Sequence, residues 1–179
     1  MTTLSVLTLV GLMGAGKSTV AQCLAGRWGF EARDLDNVIA ERAGATVAML
    51  FDNLGESGFR ELERACLEDV LREEGVVIAT GGGAVCSHAA AALVDEAGPS
   101  VFLTGDTSVL AQRAWSEGGR PLLDGCVTAK DAEAVLKTQL TTRHAWYARA
   151  TFTVAVDRHS PEMVADRIEQ ALTTRGWSP

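Results

Sequence analysis

The residues most able to do chemistry lie close to the N terminus. The run GLMGAGKS at positions 11–18 fits the pattern G-x-x-x-x-G-K-[ST]. Glycines let a backbone curl until successive N–H groups face one point, which makes an anion nest. A helix starting at that point adds the positive end of its dipole. The backbone of Gly14, Ala15 and Gly16 and the first helical residues Lys17, Ser18 and Thr19 would then cradle the phosphates of a nucleoside triphosphate. Lys17 supplies a point charge to the β- and γ-phosphates, and the Ser18 hydroxyl is placed to ligate Mg²⁺. A plain Gly-rich turn would satisfy the same pattern. The flanking sequence favours the phosphate loop, because an apolar strand-like run precedes it and a helical pattern follows.

Further along, Asp34-Leu35-Asp36 follows a short strand-like segment. In extended chain, residues two apart point to the same side, so both carboxylates can face one cleft. One would stand near a hydrated metal ion and the other near an acceptor hydroxyl. Taken alone, the pair would read as a solvated turn in which Asp36 caps the next helix, but beside a phosphate loop the cleft reading is favoured. Phosphate loops commonly have an apolar strand ending in Asp as partner. Here the run VVIA at 76–79 leads instead into Thr80, Gly81, Gly82 and Gly83. Asp34 is therefore the candidate to help hold a metal, and three consecutive glycines suggest close approach of backbone to a ligand. Arg60 and Glu63 lie one helical turn apart. Arg60 could clamp a carboxylate with Glu63 aligning it, although periodicity alone reads the two as an ordinary surface ion pair. The turn-rich stretch 116–125 carries Arg120, which a mobile lid over about 115–127 would deliver to a transferring phosphate. His88, His144 and His159 have no ligand spacing and read as surface or capping residues.

The elements that must position these groups alternate between strand and helix. Strands are predicted at Leu4–Val10, Ala32–Leu35, Val76–Ala79, Ser100–Leu103 and Phe152–Val156. Helices are predicted at Lys17–Trp28, Asp36–Ala43, Thr46–Leu54, Glu56–Glu74, Ser87–Ala97, Thr107–Ser116, Lys130–Arg149 and Pro161–Thr174. Alternation of this kind implies right-handed crossovers and a parallel sheet covered on both faces. Ligands in such sheets bind beyond the carboxyl ends of the strands. The loops after Val10, Leu35, Ala79 and Leu103 should therefore share one edge.

Composition narrows the function classes. The 179 residues suit one domain spanning 1–179, and 47% hydrophobic residues are enough for one core. A formal net charge of −7 argues against a binder of long nucleic acid. The four cysteines, Cys23, Cys66, Cys86 and Cys126, form neither a metal knuckle nor a CxxC pair, and read as free thiols in a reducing compartment. The N-terminal apolar run is short and has no basic n-region, and no stretch is long enough to cross a bilayer, so a cytoplasmic chain without a membrane partner is expected.

At this point the sequence resembles the shikimate kinase family, nearly end to end. The elements that carry the resemblance are GLMGAGKST at 11–19, DLD at 34–36, FRELE at 59–63, ATGGGAV at 79–85, QR at 112–113, RPLL at 120–123 and RHAWY at 143–147. The resemblance implies a three-layer α/β/α fold with a five-stranded parallel sheet, of the nucleoside-monophosphate-kinase type. It implies transfer of the γ-phosphoryl group of ATP to shikimate with Mg²⁺, by a monomer. Asp36, Arg60, Gly82 and Arg143, with Gly81 and Gly83 beside them, would bind shikimate. Lys17, Asp36 and Arg120 would carry the transfer, Lys17 and Arg120 would contact phosphates, and Arg113 would stack near the adenine. Ser18, and Asp34 through water, would hold the metal. The chain departs from the family's pattern after Arg143: relatives often have Pro two residues later, where this chain has Ala145, and an aliphatic residue where it has Trp146. A related small-molecule kinase, such as a gluconate kinase, would share the phosphate loop without the DLD, FR and GGG set. A nucleotide-binding module without catalysis would not need Lys17, Ser18, Asp34, Asp36 and Arg120 together.

Overall fold

The computed structural model describes residues 2–118 and 121–179. In chain order its elements are β1 (Thr2–Thr3), β2 (Val6–Val10), α1 (Lys17–Trp28), β3 (Glu31–Asp34), α2 (Leu35–Ala43), α3 (Val47–Val70), β4 (Val76–Ala79), α4 (His88–Ala97), β5 (Ser100–Thr104), α5 (Thr107–Glu117), a 3₁₀ turn (Pro121–Leu123), α6 (Ala129–Tyr147), β6 (Phe152–Ala155), α7 (Pro161–Thr174) and β7 (Trp177–Ser178). The main sheet has the strand order β3-β4-β2-β5-β6, and every pairing in it is parallel.

The three central strands β4, β2 and β5 are almost wholly buried apolar runs, as strands covered on both faces require. The edge strand β6 alternates buried and exposed residues, as expected where only one face is packed. Helix α1 leans on α7, where Arg27 bridges Asp166 and Glu169 and the Trp28 indole N–H donates to Glu169. No helix among the described residues is long and apolar enough to cross a membrane.

Three features depart from the sequence-based expectation. Strand β2 starts at Val6, not Leu4. Residues 2–4 pair instead with the C-terminal segment: Thr2 N–H donates to Gly176 O at 2.7 Å and Leu4 N–H to Ser178 O at 2.6 Å. The two helices expected at Thr46–Leu54 and Glu56–Glu74 are two limbs of α3, broken at Gly55 with φ 67° and ψ 177°, a conformation essentially limited to glycine. The second limb also ends early, at Val70, because Arg72 and Glu73 donate back to Asp69 and Val70 and form a turn.

The break at Gly55 has a purpose in packing. Phe51 and Phe59 are eight residues apart, a rise of about 12 Å along a straight helix. Here their rings stack with centroids 4.1 Å apart. The first limb folds back over the second, and this forms one wall of the cleft described next.

Candidate active site

Of the four loops expected at one edge, those after β2, β3 and β4 line a cleft of about 440 Å³, and the loop after β5 adds no lining residue. At one end lies the loop 11–16. Gly14 has φ 76°, and a Cβ there would stand 2.1 Å from Leu110 O. A Cβ on Gly11, at φ 140°, would meet Leu103 O at 2.4 Å. The loop is thus pressed against the backbone of β5 and α5, and only glycine fits at these two points. Every other α-helix among the described residues starts on a Ser, Thr or Asp side chain. Helix α1 starts on Gly16, which has no side chain to offer. Its first N–H groups therefore stay available to an anion. Lys17 is nearly buried, and its Nζ donates to Gly11 O and Leu12 O at 2.9 Å each. These bonds hold its charge across the loop.

Ser18 donates its hydroxyl proton to Asp34 Oδ2. The other oxygen of Asp34 accepts from the N–H groups of Asp36 and Asn37, at 3.1 and 3.4 Å. Asp34 is therefore the N-cap of α2, and the alternative of a turn capped by Asp36 does not occur. The reason is local: Asp34 has the extended geometry of a cap, whereas Asp36 is already inside the first turn. Asp36 turns into the cleft instead. The Ser18–Asp34 pair is a hydroxyl and a carboxylate, an all-oxygen donor set that suits a hard divalent cation. Among the described residues no group of three or more His, Cys, Asp or Glu could hold a metal ion. A cation here would keep water and phosphate as its remaining ligands.

The other end of the cleft is organised on the triple glycine. An added Cβ on Gly81 would lie 2.9 Å from both Asp36 Oδ1 and Glu63 Oε1. On Gly82 it would lie 3.2 Å from Arg143 Nη1, and on Gly83 2.6 Å from both terminal nitrogens of Arg60. One carboxylate pair and two guanidinium groups thus rest on three successive Cα atoms. Arg60 and Arg143 are 83 positions apart in sequence, and the fold sets them over neighbouring residues. Arg60 is also flanked by the rings of Phe51 and Phe59, at 5.7 and 5.6 Å from their centroids.

Glu63 proves to be no surface residue. Its side chain is 3% exposed, and it accepts from Arg60 Nη1 at 2.6 Å. Burial pushes its carboxyl above the usual glutamate range, with the Arg60 charge opposing that shift. Periodicity had left the Arg60–Glu63 pair looking like a solvated ion pair. What buries it is the glycine loop, which belongs to another part of the chain.

The cleft collects Gly14, Gly16, Lys17, Ser18, Thr19, Asp34, Asp36, Arg60, Gly81, Gly82, Gly83 and Arg143 from the residues picked by sequence. Ala15 is buried within the loop. Arg113 stands half-buried on α5, outside the lining. Arg120 lies outside the described residues. The sequence reading overlooked Val47, Phe51, Thr80 and Leu122 in the lining, and it gave no role to Tyr147. The signal for Phe51 was present as an aromatic eight residues before Phe59 with Gly55 between them. For Tyr147 it was the one-turn spacing from Arg143. Helix α6 runs unbroken through Ala145 to Tyr147, so the missing proline leaves both side chains on one face.

Comparison with known proteins agrees with this geometry. The family model "Shikimate kinase" matches residues 13–173. A shikimate kinase of Actinobacillus succinogenes is 37% identical over 161 residues, which is 89% of this chain and 90% of that protein. The crystal structure of shikimate kinase from Bacteroides thetaiotaomicron superposes with a TM-score of 0.88 at 34% identity, over 94% of this chain and 98% of that one. The structure of the Acinetobacter baumannii shikimate kinase in complex with shikimate gives a TM-score of 0.90 at 32% identity, over 97% and 95% of the two chains. With the family model matched over residues 13–173 and a relative 37% identical over 89% of the chain, the chain belongs to the shikimate kinase family.

Proposed function

We propose that this chain transfers the γ-phosphoryl group of ATP to the 3-hydroxyl of shikimate, giving shikimate 3-phosphate and ADP, in aromatic amino-acid biosynthesis. The observation that carries the reading is the pair of guanidinium groups of Arg143 and Arg60 over Gly82 and Gly83, with the carboxylate of Asp36 beside Gly81. A planar guanidinium can give a carboxylate two parallel hydrogen bonds. The clamp suits an acceptor that carries a carboxylate at one end and hydroxyl groups toward the phosphate loop. Asp36 orients the acceptor hydroxyl and takes up its proton as the new O–P bond forms. Lys17 and the open amides of α1 stabilise charge on the transferring group.

Ser18 and Asp34 would hold Mg²⁺, and a bound Mg²⁺ neutralises phosphate charge in this class of reaction. Arg113 is assigned to the adenine side and Arg120 to the phosphates, from a lid over about 115–127. Chain 1–179 works as one domain and as a monomer, in the cytoplasm.

The test is a coupled ADP-release assay with shikimate, with gluconate and with no acceptor. Turnover is expected with shikimate alone. Equal or faster turnover with gluconate, or ADP release that ignores the acceptor, would overturn the assignment.

A further inference from the structure

The three glycines at 81–83 form a soft stretch of chain, since glycine has the most backbone freedom to lose. Each of their carbonyls nevertheless has a donor. Gly81 O accepts from Ala84 N–H at 3.1 Å, and Gly83 O from Cys86 N–H at 3.0 Å. These are local turns. The carbonyl of Gly82 is held from a distant element: the Tyr147 hydroxyl donates to it at 2.5 Å, and the Cys86 thiol lies at 3.7 Å as a weaker donor.

Tyr147 is itself firmly placed. It is fully buried, and its ring packs on Phe102 with centroids 5.1 Å apart. Burial pushes its hydroxyl up to about 12, against the opposing charge of Arg143, so it remains a donor at any working pH. It also stands one turn beyond Arg143 on α6, whose guanidinium rests on the same Gly82. The bond therefore ties the loop that carries the acceptor site to the helix that carries one arm of the clamp.

We propose that Tyr147 is a positioning residue for the acceptor carboxylate: by fixing the Gly82 carbonyl it sets the spacing between the glycine loop and Arg143. The inference rests on the shikimate reading above. Without the hydroxyl, Gly82 O keeps only the thiol, the loop relaxes, and Arg143 loses its seat. The tyrosine hydroxyl bonds Gly82 O and not the phosphate loop; Gly82 lies beside Gly11 O, but that carbonyl stays held by Lys17 Nζ in the variant. The defect should therefore appear in acceptor binding and spare the nucleotide.

The experiment compares Tyr147→Phe, which keeps the ring, with Phe102→Leu, which loosens the ring packing and keeps the hydroxyl. Tyr147→Phe is expected to raise KM for shikimate about tenfold, a cost of ~1.4 kcal/mol, with kcat and KM for ATP within about twofold. Phe102→Leu is expected to lower Tm and leave KM for shikimate near the parent value. An unchanged KM in Tyr147→Phe overturns the proposal. So does a rise in both variants that follows their loss of Tm, which would make Tyr147 an ordinary core residue. A second measurement needs no variant to fold. Tyr147 is the chain's single tyrosine, so fluorotyrosine labels it alone. Its fluorine resonance should shift on adding shikimate and hold still on adding ADP, and the reverse pattern overturns the proposal. If the parent protein shows no turnover with shikimate, the functional assignment falls. The Tyr147 bond is then judged by hydrogen exchange at residues 82–84: faster exchange in Tyr147→Phe than in Phe102→Leu keeps its role in holding the loop, and equal exchange removes it.

Discussion

A methyl group added at Gly11 or Gly14 would run into backbone, Leu103 O at 2.4 Å and Leu110 O at 2.1 Å; one added at Gly81 or Gly83 would run into side-chain tips, those of Asp36, Glu63 and Arg60 at 2.6–2.9 Å. The first pair also needs positive φ, 140° and 76°, while the second pair does not. The Lys17 end of the cleft is therefore cast in backbone, a contiguous loop pressed against β5 and α5. The other end, where the acceptor is proposed to bind, is assembled from side chains on α2, α3 and α6 that meet over a bare stretch of loop. Damage should differ accordingly. At the phosphate end the protein cannot yield without moving a strand or helix. At the acceptor end it can yield by swinging a side chain, which costs little stability and directly alters binding.

The largest expected effect is at Lys17. Its Nζ spans the loop carbonyls of Gly11 and Leu12, and phosphoryl transfer relies mainly on positioned charge. Lys17→Ala should lower kcat by at least ~100-fold, with the fold kept by the loop's fit against β5 and α5 and Tm lowered only by the loss of the two lysine hydrogen bonds. A folded variant with near-normal kcat would remove the phosphate loop from the mechanism.

The next effect sharpens the contrast between the two ends. Gly83→Ala puts a methyl group into the Arg60 guanidinium, a flexible tip that can move away. The variant should fold and bind ATP normally. Losing a charge-assisted hydrogen bond to the substrate costs about 1.5–3 kcal/mol, so KM for shikimate should rise by roughly tenfold or more. Gly14→Ala should instead lose stability and nucleotide binding together. Thermal melts and separate KM values for the two substrates decide the matter. If both variants lose stability alike, the distinction between backbone-built and side-chain-built ends is wrong.

The same contrast explains what could be read from sequence. The phosphate loop was legible because its function depends on neighbours in the chain: glycine freedom, a lysine and a following helix. Most element boundaries were legible for the same reason, and α1, β4 and α7 match their predicted limits. The Asp34–Asp36 pair was legible as a site, but the second role of Asp34 as a helix cap was not. Which acid caps α2 depends on where the helix begins, a difference of one or two residues. The fold-back at Gly55 needed knowledge that Phe51 and Phe59 stack across it. The β1–β7 pair has no apolar pattern to announce it. The burial of Glu63 and the reach of Tyr147 to Gly82 come from contacts between distant segments, which periodicity does not encode.

The smallest expected effect concerns Glu63, and it probes the cost of building a site from buried side chains. Its carboxylate is taken out of water, and Arg60 only partly compensates, so its folded-state pKa stands above the ordinary glutamate value. The sign of the pH dependence follows. Between the ordinary value and the raised one, the folded protein binds more protons at this site than the unfolded chain does. Stability from this group therefore falls as pH rises through that window and is level on either side of it. Gln at the same position cannot titrate. The stability of the parent minus that of Glu63→Gln should thus decline as pH climbs from the ordinary glutamate value through the raised folded-state one, then run flat above it. Denaturant melts of both proteins at a series of pH values measure this difference, in which titrations common to both cancel. Parallel curves across the range would mean that Arg60 fully offsets the burial. The loss of the Glu63 carboxylate should also free Arg60 from one of its anchors and weaken shikimate binding less than Gly83→Ala does, because Phe51 and Phe59 still flank the guanidinium. A Gln variant that binds shikimate worse than Gly83→Ala would reverse that order and make Glu63, not the glycine seat, the element that holds the clamp.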